Sequence, residues 1–344
     1  MSILDSSKII VKCIAGSNLY GTARSNSDID TRGVFIPPRE FYMGFLDNTE
    51  TMEDKKEDKV FHELRKFMTL ACNANPNIIE LLFVPQEWIL EFSWEWQVIL
   101  KNRHLFLSTK AKHAFSGYAH AQLMRIKRHR GWLFNPPKEK PMREKFGIPE
   151  HQTIGKDQIG AFNHIILSNL NRVRDFHPLR EQILEMEETI RFEAMVNQVY
   201  PVGALNKFIP VSENLIELIQ REKSYQNAMN EWNNYQSWKI NRNPARAGLE
   251  AKHGYDTKHA MNLVRLLLEG EELLKTGEIK FPRPEAKFLL EVYEGLLKYD
   301  ELCEFSEERM NKLNELYKTS KLPREPKRKE ANSMCIALIK DHIK

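Results

Sequence analysis

No stretch of this 344-residue chain approaches the roughly 20 consecutive apolar residues that a membrane-spanning helix needs. The best candidate, residues 78–90, is interrupted by Glu80, Pro85, Gln86 and Glu87. The first residues, Met1-Ser2-Ile3-Leu4-Asp5, lack a basic segment followed by an apolar one, so no secretion leader is expected. Cysteine is scarce: Cys13, Cys72, Cys303 and Cys335 lie far apart and form no Cys-x-x-Cys pair. That spacing argues against a disulfide framework and reads as buried, reduced thiols in a cytoplasmic protein. Internal repeats and low-complexity segments are also lacking. A large charge excess is missing too, since the net charge is only +4, so composition alone does not announce a nucleic-acid binder.

What remains is an ordinary globular composition, 42% hydrophobic and 28% charged, with enough chain for one large or two modest domains. The charge is unevenly spread. Residues 125–145 hold Arg125, Lys127, Arg128, Arg130, Lys138, Lys140, Arg143 and Lys145 against Glu139 and Glu144. A second basic cluster comprises Lys321, Arg324, Lys327, Arg328 and Lys329. Such patches suit either a polyanion or a solvated surface.

The pattern along the chain predicts an α+β protein. Residues 8–15 form a short Ile/Val-rich run that reads as a strand ending at Gly16-Ser17. Residues 28–36 read as a second strand stopped by Pro37-Pro38, residues 47–58 as an acidic loop, and residues 58–61 as a third strand. Leu64, Phe67, Met68 and Ala71 recur at helical spacing, and Asn75-Pro76-Asn77 breaks that helix, with Asn77 as a candidate cap for the next. Beyond about residue 105 the chain reads as mainly helical. Helices are expected near 111–130, 157–174, 178–197, 213–240, 257–275, 285–299 and 305–318. The Pro- and Gly-bearing interval 135–155 reads as a loop, and 200–212 as a link. The expected domains are therefore a small mixed-sheet core over 1–105 and a helical domain over 106–344, with a basic loop at about 130–155.

The chemistry is concentrated in Gly16-Ser17-Asn18-Leu19-Tyr20-Gly21-Thr22-Ala23-Arg24-Ser25-Asn26-Ser27-Asp28-Ile29-Asp30. A strand ends at Gly16, where the missing side chain allows close backbone approach to a ligand. Backbone amides opening the next helix, with the Ser17 hydroxyl, suit a phosphate. Gly21 permits a second tight approach, and Arg24 adds positive charge. Asp28 and Asp30 flank one residue, so on a strand their carboxylates share a face. Two adjacent carboxylates are costly without a cation, and Mg²⁺ takes one or two carboxylates together with substrate phosphates.

The ordered set, Gly-Ser followed by Ser27-Asp28-x-Asp30, resembles the signature of the DNA polymerase β-like nucleotidyltransferase superfamily. Further segments resemble its predicted RNA-repair branch: Thr31-Arg32-Gly33-Val34-Phe35, Leu64-Arg65-Lys66-Phe67, Asn75-Pro76-Asn77 with Glu80-Leu81-Leu82, Phe115-Ser116-Gly117-Tyr118, and Gly254-Tyr255-Asp256-Thr257-Lys258-His259-Ala260. The resemblance spans roughly residues 10–280. It implies a polymerase β-like palm core, two Mg²⁺ ions (or Mn²⁺), a nucleoside triphosphate substrate and a third carboxylate on a neighbouring strand. Asp58 is preferred for that carboxylate because it opens a strand-like run, whereas Glu63 falls at a helix start. Asp28, Asp30 and Asp58 are the expected metal-binding catalytic set.

In the helical half, Tyr118, Gln122, Arg125 and His129 form one polar stripe. Tyr118 is a candidate for stacking on a base and Arg125 for meeting phosphate; a solvated face is the plain alternative. Asp256 is a candidate N-cap. Lys258, Asn262 and Arg265 share a helix face, and Lys258 and Arg265 are candidates for the triphosphate or an RNA end; capping plus surface charge is the plain alternative. Gly16, Ser17, Arg24 and Ser27 complete the expected nucleotide and phosphate set. His259 reads as a core histidine without a catalytic role. Gly131-Trp132-Leu133-Phe134 reads as a loop whose aromatics, among basic residues, suit single-stranded nucleic acid or simple anchoring. The expected activity is transfer of a nucleoside monophosphate from a triphosphate to an acceptor hydroxyl. An RNA 3′ end is the favoured acceptor. A protein hydroxyl and a non-catalytic nucleotide- or RNA-binding module are the rivals.

Overall fold

The computed structural model describes residues 6–25, 27–45, 48–54, 56–151 and 213–343. The helices expected at 157–174 and 178–197, and the link at 200–212, lie outside them. Two compact units are present, residues 1–134 with 243–344, and residues 135–242.

The first unit contains a five-stranded mixed sheet. Its strands are β1 (Lys8–Ile14), β2 (Thr31–Ile36), β3 (Thr51–Asp54), β4 (Lys59–Glu63) and β5 (Ile89–Phe92), in the order β3-β4-β2-β1-β5. β1 pairs antiparallel with β2 and β5, β3 pairs antiparallel with β4, and β2 runs parallel to β4. Several features differ from the sequence expectation, among them β5, which has no counterpart in the expected strands. Residues 51–54, read as loop, form strand β3. They are polar because an edge strand with exposed faces needs no apolar alternation. The second strand begins at Thr31 rather than Asp28, so the Asp28–Asp30 segment is the approach to the strand, not part of it.

Helices α1 (Gly16–Tyr20), α2 (Arg39–Met43), α3 (Leu64–Cys72), α4 (Pro76–Leu81) and α5 (Trp94–Lys101) accompany the sheet. Leu64, Phe67, Met68, Ala71 and Cys72 of α3 are buried in one core with Ile10, Val11, Val34 and Ile36 of β1 and β2. Burial of each large aliphatic or aromatic side chain is worth about 1.5–3 kcal/mol. Asn75, not Asn77, holds the N-cap position of α4, and Pro76 takes the first helical position, where its missing N–H costs nothing.

The same unit continues with α6 (Ala111–Phe134), and later α8 (Pro244–His253), α9 (Thr257–Thr276), α10 (Ala286–Tyr293), α11 (Tyr299–Thr319) and α12 (Arg328–His342). The segment 131–134, read as loop, forms the last turn of α6. Phe115, Ala119, Leu123 and Ile126 of α6 share the buried core with Ala260, Leu263, Val264 and Leu267 of α9. In the second unit, α7 (Glu213–Asn241) is the long helix, and Arg143 forms a two-pronged ion pair with Glu222 at 2.6 and 2.8 Å. The residues after 105 thus divide between the two units.

Candidate functional site

β1 and β2 are antiparallel neighbours, so the end of β1 and the start of β2 lie side by side. The ladder runs one residue past both strands, with the Ala15 N–H donating to the Asp30 carbonyl at 2.9 Å. Gly16 follows with φ +63°, in the left-handed region. A Cβ at Gly16 would overlap the Asp30 carboxylate, so the glycine is what lets that side chain lie against the turn. The first amides of α1 have no intrahelical acceptor, and Ala15 offers no side-chain cap. Asn18 ties the same turn to the acidic segment, donating from Nδ2 to the Asp28 carbonyl at 3.1 Å.

The parallel register of β2 and β4 supplies the next carboxylate. Thr31 pairs with Lys59, and the Thr31 N–H donates to the Asp58 carbonyl at 3.0 Å, so Asp30 and Asp58 enter adjacent strands together. Asp58 itself sits at φ +46°, a conformation that aspartate tolerates better than most residues. Glu63 pairs with Phe35, five residues further along β4 and therefore roughly 16 Å away at 3.3 Å per residue. Glu63 is also committed. It is 1% exposed, caps α3 through the Lys66 N–H at 3.1 Å, and accepts from Tyr42 at 2.8 Å and Arg65 at 3.2 Å.

Asp28 and Asp58 are each close enough to act on Asp30. The Asp30 carboxyl is held above its ordinary value, first by partial burial; Arg32 opposes this, Asp58 raises it further, Lys258 opposes, and Asp28 adds to the rise. Arg32 stands 3.8 Å from the Asp30 carboxylate. Lys258, two residues into α9, is shifted below the usual lysine value. Burial is the main cause, Arg246 and Arg24 push the same way, and Asp30 and Asp256 pull against them. Near the Gly16 turn, Asp30 thus feels Asp28, Asp58, Arg32 and Lys258, and Lys258 in turn feels Arg246 and Arg24. The three-carboxylate set fits a hard divalent cation: its mutual repulsion is the charge such an ion neutralises, and its donors are all oxygen.

The remaining predicted residues fall into two groups. Arg24 lies over the Tyr293 ring at 4.0 Å, and its backbone exchanges hydrogen bonds with Ser27, N–H to Oγ and N–H to carbonyl, both 2.9 Å. The Ser27 hydroxyl therefore shapes the turn that presents Asp28. Tyr118 is 40% exposed and accepts from Asn75 Nδ2 at 2.7 Å. Arg125 is exposed and acts electrostatically on His129 and His259.

Arg265 is different. It is 6% exposed, donates to Glu80 at 2.5 Å and Glu269 at 2.8 Å, and lies over the Tyr20 ring at 4.1 Å. Arg265, a candidate for the triphosphate or an RNA end, turns inward instead, because Glu80 on α4 supplies a buried partner that spacing along α9 does not reveal. Gly21 is the C-cap of α1 at φ +73°, and a Cβ there would press on Pro282, so its role is packing.

Sequence reasoning missed one cluster. His129, Asp256 and His259 bring one ligand atom each within 4.8 Å of one another. The signal was present as the Gln122/Arg125/His129 stripe and the Asp256 cap, but their meeting depends on how α6 and α9 pack.

Residues 3–133 match the family model described as the RNA repair pathway DNA polymerase beta family, which supports the resemblance read from the Gly16–Asp30 segment. The chain is also similar to an uncharacterized 38.9 kDa protein from the nrdC–mobD intergenic region of Enterobacteria phage T4. Identity is 25% over 319 residues, covering 88% of this chain and 87% of that protein. No solved structure gives a significant match. Among the described residues, no helix is long and apolar enough to cross a membrane.

Proposed function

We propose, from the premise that residues 3–133 carry a polymerase β-like nucleotidyltransferase core, that the chain transfers a nucleoside monophosphate from a triphosphate to an acceptor hydroxyl, with an RNA 3′ end as acceptor and pyrophosphate as the leaving group. The observation that supports this best is the placement of Asp30 against Gly16 with Asp58 at the entry to the neighbouring strand β4.

Asp28, Asp30 and Asp58 would hold two Mg²⁺ (or Mn²⁺) ions. When bound, such ions acidify an attacking hydroxyl and neutralise charge on leaving oxygens. The chain's own groups do the rest. The Gly16 and Ser17 amides and the Ser17 hydroxyl receive phosphate oxygens. Lys258, which stands beside Asp30, and Arg24 offset the triphosphate charge. Depression of the Lys258 pKa, mainly by burial with neighbouring cations adding to it, is the expected state of a group whose anionic partner is the substrate. Tyr118 and Arg125, exposed on α6, offer a stacking ring and a further cation. Orientation and charge complementarity, not proton transfer by a side chain, supply most of the acceleration. The acceptor assignment draws on the basic residues of 125–145 and on the RNA-repair description of the matching family.

The test offers each of the four α-labelled triphosphates, with Mg²⁺ or Mn²⁺, to the protein with total RNA and, separately, with a protein extract. Label in RNA that is lost with Asp28→Ala is the expected result. Label in protein would replace the acceptor, and undiminished transfer by Asp28→Ala would remove the site.

A further inference from the structure

A second group of donors lies beside the carboxylate site and differs from it in chemistry. His259 Nε2 stands 3.6 Å from Asp256 Oδ2, and His129 Nδ1 stands 3.9 Å from the same oxygen. The other ring nitrogen of His259, Nδ1, lies 2.8 Å from the Gln122 carboxamide oxygen. That oxygen accepts only, so Nδ1 carries the proton and Nε2 presents a lone pair toward the carboxylate. The other Asp256 oxygen is engaged as the cap of α9, accepting the His259 N–H at 3.0 Å. The His129 ring is held by stacking on Trp132 at 5.3 Å and meets the His259 ring edge-on at 5.5 Å.

Two facing acceptors repel each other unless a positive charge lies between them. A metal ion bound by all three groups supplies that charge, and their ligand atoms lie within 4.8 Å of one another.

We propose that His129, Asp256 and His259 form a binding site for a zinc-class divalent cation, distinct from the Mg²⁺ site inferred at Asp28, Asp30 and Asp58. Two imidazole nitrogens and one carboxylate oxygen are borderline donors that favour Zn²⁺ or Co²⁺ over Mg²⁺. Bond lengths near 2.0–2.1 Å in a tetrahedral site place ligand atoms about 3.3 Å apart, so the observed 3.6 and 3.9 Å close onto an ion with small side-chain movement. Gln122 supplies the outer hydrogen bond that fixes the tautomer of a ligating histidine. The ion would pin α6 to the first turn of α9, and Lys258 lies between its two α9 ligands. Its role is thus to position that lysine. The site stands whether or not the chain transfers nucleotides.

The full-length protein, stripped with a chelator and dialysed, is titrated with Zn²⁺ calorimetrically and with Co²⁺ by visible absorption, in excess Mg²⁺. One equivalent of tight binding is expected, with the intense absorption of a four-coordinate Co²⁺ centre. His259→Gln and His129→Gln should each weaken binding at least about 100-fold. Gln122→Leu should weaken it about 10-fold. Asp28→Ala should leave it unchanged, and circular dichroism checks that each variant folds. Failure of the wild type to bind up to millimolar free Zn²⁺ overturns the proposal. So does binding that survives in both folded histidine variants, or binding that is lost with Asp28→Ala alone.

Discussion

Two charge clusters lie at opposite ends of α1, and they treat charge in opposite ways. At Gly16, partial burial, Asp58 and Asp28 all disfavour the charge on Asp30, and Arg32 and Lys258 only partly compensate. At Tyr20, charges are spent inside the protein. Tyr20 donates to Glu80 at 2.7 Å, Arg265 joins Glu80 to Glu269, and Arg283 reaches Glu272 at 2.5 Å and Glu285 at 3.1 Å. The Arg283 N–H also donates to the Tyr20 carbonyl at 3.1 Å. Burial pushes the Glu269 carboxyl up, and Arg265 and Arg283 pull against that shift. The first cluster leaves charge over for a ligand; the second holds the same short helix from behind. A positioned turn needs both, since binding energy at one end is useful only if the other end does not move.

The comparison can be broken most forcefully at its active end. Asp30→Asn should lower nucleotide transfer by roughly 10³-fold or more, measured as label incorporated at saturating triphosphate. The same substitution should raise the melting temperature slightly in metal-free buffer at neutral pH. The sign follows from the shift: a carboxyl raised on folding stabilises at low pH and loses that contribution as pH rises through its folded value. The ionised Asp30 is thus a net cost at neutral pH, and the variant's advantage should shrink as pH falls into the carboxylate range. A lower melting temperature for the variant would contradict the picture of uncompensated charge.

Arg265→Met tests the other end and should act with the opposite sign on stability. Leaving Glu80 and Glu269 buried without their cation should cost about 3–5 kcal/mol, read from urea denaturation. A loss under 1 kcal/mol would show that the network is not what holds α1.

Lys258→Ala comes next, with an expected loss of about 10²-fold in kcat/KM for the triphosphate and little change in stability. Gly16→Ala, which displaces the Asp30 carboxylate without removing it, is expected to lower transfer by less than Asp30→Asn does. Left-handed backbone costs about 1–2 kcal/mol with a Cβ, and displacement of the Asp30 carboxylate should make the loss in transfer exceed the loss in stability. Equal losses would mean that the turn is a folding element only.

Much of this was legible locally. The end of β1 at Gly16-Ser17, the Asp28-x-Asp30 pair, the Leu64/Phe67/Met68/Ala71 face of α3 and the Asp256 cap of α9 are each written within a few residues, because hydrogen-bond spacing and side-chain period act over that range. The preference for Asp58 over Glu63 rested on a local strand start, and the β2–β4 register adds the reason: one end of β4 enters beside Asp30 and the other ends in a helix cap. β3 was missed because edge strands lack the alternation that marks half-buried ones.

By itself, the sequence determined which residue types were available at the turn, how far apart they stood along the chain, and that a mixed sheet would precede a helical region. Tertiary structure alone decided which charges face a ligand and which face each other. Arg265 and Lys258 lie seven residues apart on one helix, yet one is sealed against Glu80 and the other stands beside Asp30. His129 and His259 meet only because α6 packs on α9. The reason is physical: a charge is priced by what surrounds it in space, and neighbours 130 or 185 residues away along the chain leave no mark on local periodicity.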